Sequence, residues 1–234
     1  MRTPEPQSLR VLIFDFDHTL TDFGRWVDWQ GARAEVVGLY EAAGVFPDSL
    51  TKKAYAFGLF AALDEALAAR TSRAEADVVR DHALAALDRF EHGGAGRATW
   101  LPGVPALLDL AAERDFGLAI VSANGEAPIR ASLERLGAVE RFTAILGRSP
   151  LFPPKPAPNM HCEVLRRFAI APGSALAIGD SPNDIRAAAA ADILTVGVLG
   201  GEGSEERLFD AGATWVLQDL TALPALLALW SNAV

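Results

Sequence analysis

The spacing of apolar residues changes twice along this chain. Val11, Leu12, Ile13 and Phe14 form an unbroken run that ends at Asp15, which reads as a short strand buried on both faces, as in the middle of a parallel sheet. From residue 26 the spacing turns helical over residues 26–43, 49–70 and 73–90, broken at Gly44-Val45-Phe46-Pro47-Asp48 and at Thr71-Ser72. In the third segment Ala76, Val79, Ala83, Leu84, Leu87 and Phe90 recur at helical spacing with charges between them, so one face should be buried. Glu91-His92-Gly93-Gly94-Ala95-Gly96 closes this block and is expected to be a flexible hinge or boundary.

Beyond Pro102 the two periods alternate: a helix over 104–114, a strand over 117–121, a helix over 127–136, then strands near 143–146, 175–178, 195–198 and 214–217 with helices between them. Such alternation predicts a mainly parallel sheet covered by helices. The apolar stretch 220–230 is expected to close the core as a helix. The first strand belongs with this later half, which makes the helical block an insertion. The expected fold class is therefore α/β, with a Rossmann-like core of residues 1–21 and 99–234 and an inserted α-helical cap of residues 22–98.

Composition fits a core domain with a smaller insertion: 234 residues, half of them apolar. A formal charge of −9 argues against a nucleic-acid surface, and it means that an anionic substrate would need local cations. Cys162 is the only cysteine, so no intrachain disulfide can form. The first residues lack a secretory apolar segment, and 220–230 is shorter than the roughly 20 residues of a membrane span. The expectation is a cytoplasmic protein with neither a membrane nor a nucleic-acid partner; its oligomeric state is not legible.

Asp15-Phe16-Asp17 follows the first strand at the end where open α/β sheets hold their ligands. Two carboxylates so close repel unless a cation lies between them, and a hard divalent ion such as Mg2+ is the usual solution. The alternative is a polar turn, since Asp favours turns and helix caps. A second strand-end motif, Gly179-Asp180-Ser181-Pro182-Asn183-Asp184, supplies Asp180 and, in the first turn of the next helix, Asp184. Ser181 with Asp184 also fits a capping box with Pro182 in the first turn, which leaves Asp180 unaccounted for. If these two strands are neighbours, Asp15, Asp17 and Asp180 converge on an oxygen-rich site, with Asp184 near enough to ligate or to bond a bound water. A third strand ends in Ser122-Ala123-Asn124, where Ser122 and Asn124 either cap a helix or help its N-terminus bind an anion. Lys155, set among Pro153, Pro154, Pro156 and Pro158, is either a solvated linker lysine or a fixed cation for that anion.

With these four pieces in order, the chain resembles the haloacid dehalogenase superfamily. Asp15-Phe16-Asp17-His18-Thr19-Leu20 looks like its D-x-D-x-T motif, Ser122 like its Ser/Thr motif, Lys155 like its lysine, and Gly179-Asp180 with Asp184 like its G-D-x-x-x-D motif. The stretch 179–217 is similar to phosphoglycolate phosphatase-like members, whose small helical cap corresponds to the insertion. The resemblance implies Mg2+-dependent hydrolysis of a small phosphorylated metabolite. In it Asp15 would be the nucleophile, Asp17 the acid and base, and Ser122, the Asn124 N–H and Lys155 the holders of the phosphoryl oxygens. Mg2+ would be held by Asp15, the Asp17 backbone carbonyl and Asp180, with Asp184 beside it.

Asp17 favours phosphoryl chemistry over dehalogenation, because members that act on carbon–halogen bonds resemble this chain at Asp15 but lack the second aspartate. A phosphonatase would need a cap lysine, and Lys52 and Lys53 lie in no recognisable motif of that kind. A phosphomutase and a non-catalytic binding protein on the same scaffold remain the alternatives. His18 stands where the family commonly has glycine, either as an outward-facing substitution or as a tuned acid or base. Arg25, Trp26 and Trp29 either line an entrance or pack.

Overall fold

The strand β1 (Val11–Phe14) lies inside a six-stranded sheet, in a computed structural model that describes residues 9–46 and 56–231. The other strands are β2 (Gly117–Gly125), β3 (Ala144–Arg148), β4 (Ala175–Gly179), β5 (Leu194–Val198) and β6 (Trp215–Leu217). Their order is β3-β2-β1-β4-β5-β6, and every pairing is parallel. The unbroken apolar run of β1 follows from this position. Leu12 and Phe14 pack into the core on one face, with Val104, Leu107 and Ile129, while Val11 and Ile13 pack on the other with Met160, Val164 and Ala188. Each such burial is worth about 1.5–3 kcal/mol relative to exposure.

Four helices follow β1 before the sheet resumes at β2, and the first three are α1 (Trp29–Ala42), α2 (Ala56–Ala68) and α3 (Arg73–Ala95). They share their own apolar cluster, built on Val36, Tyr40, Leu59, Leu63, Leu67 and Leu87. The first begins later than residue 26, because Phe23–Trp26 makes a 3-10 turn and Asp28 caps the helix by accepting the Gly31 N–H at 2.9 Å. The third opens with a capping box of Ser72 and Glu75. Part of the second expected helix, residues 49–55, lies outside the described residues, as do Lys52 and Lys53.

The glycine-rich segment corrects the expectation of a hinge there. Helix α3 runs unbroken through Gly93 and Gly94 to Ala95, and Glu91 is fully buried. Tertiary packing overrides the low helix propensity of glycine. Gly94 lies so close to Val27 that a Cβ would sit 2.8 Å from its side chain, so the small residue serves contact rather than freedom. The chain leaves and re-enters the sheet side by side: Leu101 N–H bonds Leu20 O at 2.9 Å, and Asp22 N–H bonds Thr99 O at 3.1 Å.

Helices α4 (Val104–Glu113), α5 (Glu126–Arg135), α6 (Asn159–Phe168), α7 (Pro182–Ala189) and α8 (Glu205–Asp210) alternate with the later strands. A 3-10 turn at Leu220–Ala222 leads into α9 (Leu223–Ser231), as the apolar stretch there predicted. Among the described residues no helix is long and apolar enough to cross a membrane.

Candidate active site

Phe14 is in register with Ile120 of β2 on one side and with Ile178 of β4 on the other, so Asp15 and Asp180, just past the ends of β1 and β4, and Ser122, within the longer β2, come to one edge of the sheet. The strand order changes direction about β1 at this edge. The Asp15 N–H is tied to Ile178 O at 2.9 Å, which fixes the backbone that presents its carboxylate.

Lys155 reaches this edge from the segment between β3 and α6. Its buried ammonium donates to Asp15 Oδ1 at 2.7 Å, to Val121 O at 3.1 Å and to Asp184 Oδ1. Asp184 serves two purposes with its two oxygens. Oδ2 accepts the Ser181 N–H at 3.0 Å and the Ser181 hydroxyl at 2.6 Å, the capping box expected for α7, while Oδ1 faces Lys155. Asp180 Oδ2 accepts the Glu202 N–H at 2.9 Å. Asp15, Asp180 and Asp184 each bring an oxygen to within 4.8 Å of the others.

Three buried carboxylates against one lysine leave a local charge of −2 without a further cation. The electrostatics follow. Burial, reinforced by the neighbouring carboxylates, pushes Asp15 up to about 7 and Asp180 up to about 8. Burial alone would lower Lys155, but Asp15 and Asp184 more than offset it and hold the ammonium charged. An all-oxygen donor set with unbalanced negative charge suits a hard divalent cation.

Asp17 lies in the same cleft, but its carboxylate is not part of that cluster. Oδ1 accepts the Gly24 N–H at 2.7 Å, and Oδ2 lies 3.8 Å from His18 Nε2. Burial raises its pKa, moderated by His18 and the Gly24 bond. A Cβ at position 24 would stand 2.1 Å from Asp17 Oδ2, so a larger residue there would have to push that carboxylate aside. His18 has φ of 57°, the left-handed region that favours glycine, so this turn holds a non-glycine residue at a cost.

Ser122 and Asn124 do not cap α5, whose N-cap is Gly125. They bond each other instead: Ser122 Oγ donates to Asn124 Oδ1 at 3.0 Å, and the Asn124 N–H donates to Ser122 Oγ at 3.3 Å. The Asn124 amide then donates to Glu91 Oε1 at 3.0 Å, and the Gly125 N–H to Glu91 Oε2 at 2.9 Å. Arg148, at the end of β3, bonds both Glu91 oxygens at 3.0 and 2.8 Å, Ala123 O at 3.0 Å and Asp88 at 2.6 Å. The inserted helix α3 thus grips the loop that carries Ser122. Sequence reasoning missed Glu91 and Arg148. The available signal was spacing: Glu91 falls four residues after Leu87 and eight after Ala83, on the buried face of α3.

The cleft above these groups has a volume of about 490 Å3, with Asp15, Ser122 and Lys155 at the sheet and Tyr40, Asp64 and Arg80 on the inserted helices. Trp26 and Trp29 pack rather than line it. The Trp29 indole donates to Gly24 O at 3.0 Å, and Arg97 stacks on Trp26 at 4.1 Å.

The family model of haloacid dehalogenase-like hydrolases matches residues 12–198, which takes in β1 to β5 and all four motifs. The chain belongs to this family. A phosphoglycolate phosphatase of Psychrobacter arcticus is 28% identical to this hydrolase-family chain over 230 residues, covering 92% of the chain and 94% of the relative. The plasmid-encoded protein CbbY of Cupriavidus necator is 39% identical over 118 residues, 49% of this chain and 46% of that protein. The chain spans about half the length of several curated relatives that it matches, phosphoglycolate phosphatases among them. In fold it is similar to CbbY from Rhodobacter sphaeroides in complex with phosphate, with a TM-score of 0.60 at 21% identity over 92% of this chain and 96% of that one.

Proposed function

We propose that this haloacid dehalogenase-like hydrolase cleaves a small phosphomonoester through a phosphoaspartate at Asp15. What supports the reading is the meeting of Asp15, Asp180 and Asp184 around Lys155 at the open edge of the sheet. The phosphatases among its relatives point the same way. Mg2+ would be held by Asp15, Asp180 and Asp184 with the Asp17 backbone carbonyl, and would offset the negative charge shared by nucleophile and phosphate.

In the first step an Asp15 carboxylate oxygen attacks phosphorus, the ester P–O bond breaks, and the leaving alkoxide takes a proton from Asp17. Asp17 suits this task because burial raises its pKa, so the carboxyl carries a proton closer to neutrality than an exposed aspartate would. In the second step Asp17 removes a proton from water, the water oxygen bonds to phosphorus, and the Asp15 carboxylate leaves with its own oxygen. Lys155 and Ser122 stabilise the charge on the phosphoryl oxygens, and Lys155 also keeps Asp15 oriented. Asn124 contributes by holding Ser122 in place, its own side chain being committed to Glu91.

Acid quenching during turnover of p-nitrophenyl phosphate tests the intermediate. A peptide phosphorylated at Asp15, labile to hydroxylamine, is expected in the wild type and absent in Asp15→Asn. Turnover with no labelled peptide, and phosphate release that survives Asp15→Asn, would overturn the reading.

A further inference from the structure

Helix α3 forms one wall of the cleft, and its residues change character along it. Arg80 lines the end on the inserted helices, Ala83, Leu84 and Leu87 follow, and Glu91 meets the segment that carries Ser122. The end at Arg80 is complete in itself. Tyr40 OH donates to Asp64 Oδ1 at 2.5 Å, and Arg80 Nε donates to Asp64 Oδ2 at 2.5 Å. Asp77 accepts from Arg80 Nη1 at 2.7 Å and lies 3.8 Å from Arg73 Nε. Two carboxylates and two guanidinium groups balance there, which leaves no net charge for a ligand to answer.

Between that cluster and the catalytic edge the lining is apolar. Phe60, Ala83, Leu84 and Leu87 come from the inserted helices, and Pro150 and Pro153 from the segment between β3 and α6. Ala83 and Leu87 also belong to the apolar core of the inserted helices, and Phe60 packs against it. Leu84, partly buried, joins none of the apolar clusters among the described residues, so its side chain is left to what occupies the cleft. It stands seven residues before Glu91, about 10 Å along the helix axis. A cleft of about 490 Å3 falls in the range that encloses ligands large enough to bridge that distance.

We infer that the cleft selects a phosphomonoester whose organic body is apolar and long enough to reach Leu84, and that Leu84 is the residue that reads it. With the phosphoryl group at Asp15, such a body lies along α3 and leaves water against Leu87, Leu84 and Phe60. A two-carbon body stops short of Leu84 and gains nothing from it. The inference rests on the phosphatase reading above, and its test separates the two.

The probes are unbranched alkyl phosphates from ethyl to hexyl, whose leaving alcohols are nearly alike in acidity, so that chain length is the variable. A fully buried CH2 is worth about fourfold, and in an open cleft about half of that or more should be realised at each step. For the wild type, kcat/KM for hexyl phosphate is therefore expected to exceed that for ethyl phosphate by at least about tenfold. Leu84→Gln, similar in length but polar, should lower the hexyl-to-ethyl ratio by about fivefold, whereas Leu84→Met, apolar and of similar volume, should keep it. Each ratio is measured on one preparation, so partial unfolding of a variant cancels. Equal kcat/KM along the series, a ratio that Leu84→Gln leaves unchanged, or an equal loss in Leu84→Met would overturn the inference while leaving the phosphatase standing. Failure of the wild type to release phosphate from any member of the series or from p-nitrophenyl phosphate would overturn both.

Discussion

Glu91 holds the inserted helix α3 to the segment that carries Ser122 and Asn124, and replacing it with alanine should cost more than any nearby surface change. Its carboxylate has no solvent exposure and accepts from the Asn124 amide, the Gly125 N–H and both terminal nitrogens of Arg148. Glu91→Ala leaves Arg148, whose side chain is 13% exposed, with the 40% exposed Asp88 as the carboxylate facing it, and leaves two further donors short of a partner. Breaking a buried ion pair on one side costs about 3–5 kcal/mol. At a urea m-value of about 2 kcal/mol/M, the midpoint should fall by roughly 2 M. Asp88→Asn is the internal control. It removes the other carboxylate of the same arginine, but at 40% exposure it should cost less than about 1 kcal/mol. Released from α3, the loop carrying Ser122 also loses its grip, so kcat/KM for p-nitrophenyl phosphate should drop about 100-fold in Glu91→Ala. A Glu91→Leu, Arg148→Met pair should recover much of the stability, since apolar replacement of both partners is often neutral, but not the activity. Equal losses for Glu91→Ala and Asp88→Asn, or a loss below about 1 kcal/mol for Glu91→Ala, would refute the reasoning.

Three further outcomes follow from the site. Without metal, folded Asp15 (about 7) and Asp180 (about 8) bind protons that the unfolded chain has released above about pH 4, so stability in EDTA should fall as pH rises from 5 to 8. Mg2+ should oppose that fall, raising Tm more at pH 8 than at pH 5; an equal rise at both would contradict it. His161 is buried with Nδ1 unpartnered, and burial lowers it from 6.5 to about 4. The unfolded chain then binds the proton first on acidification, so stability should be lost as pH falls from 6.5 toward 4, by roughly 2–3 kcal/mol, and His161→Leu should remove that loss in urea titrations at pH 7 and 4.5. Gly24→Ala should displace the Asp17 carboxylate and lower kcat about 100-fold; an unchanged kcat would mean that Asp17 is not needed where it lies.

How much of this was legible in the chain differs between its two halves. Periodicity located the strands of the core because each is built on a short apolar run, and the positions of Asp15 and Asp180 just past β1 and β4 followed from those runs, whereas β2 continues past the expected end at Val121 through Ser122 to Gly125. The glycines at 93 and 94 misled, because a residue that weakens an isolated helix can be the one that lets it pack against Val27. Asn124 was readable as a polar residue after a strand, but not as the partner of Glu91, since 33 residues separate them and only the fold brings them together. The left-handed turn at His18 is legible only in part: the place where the family carries glycine was recognised, and its φ of 57° gives the physical reason glycine suits it.

The cluster Tyr40–Asp64–Arg80 was invisible for the same reason as Glu91. Each residue sits on a different helix, and each alone reads as a solvated or packing side chain. Insertion helices carry such groups without disturbing the sheet.

The central claim is that Asp15 attacks phosphorus in a site that needs a divalent cation. Phosphate release from p-nitrophenyl phosphate, followed with Mg2+ and with EDTA for the wild type and Asp15→Asn, tests it most directly. The account predicts release that requires Mg2+ in the wild type and falls at least about 1,000-fold in Asp15→Asn, whose amide is a poor nucleophile. Release at comparable rates in EDTA, or in folded Asp15→Asn, would contradict it.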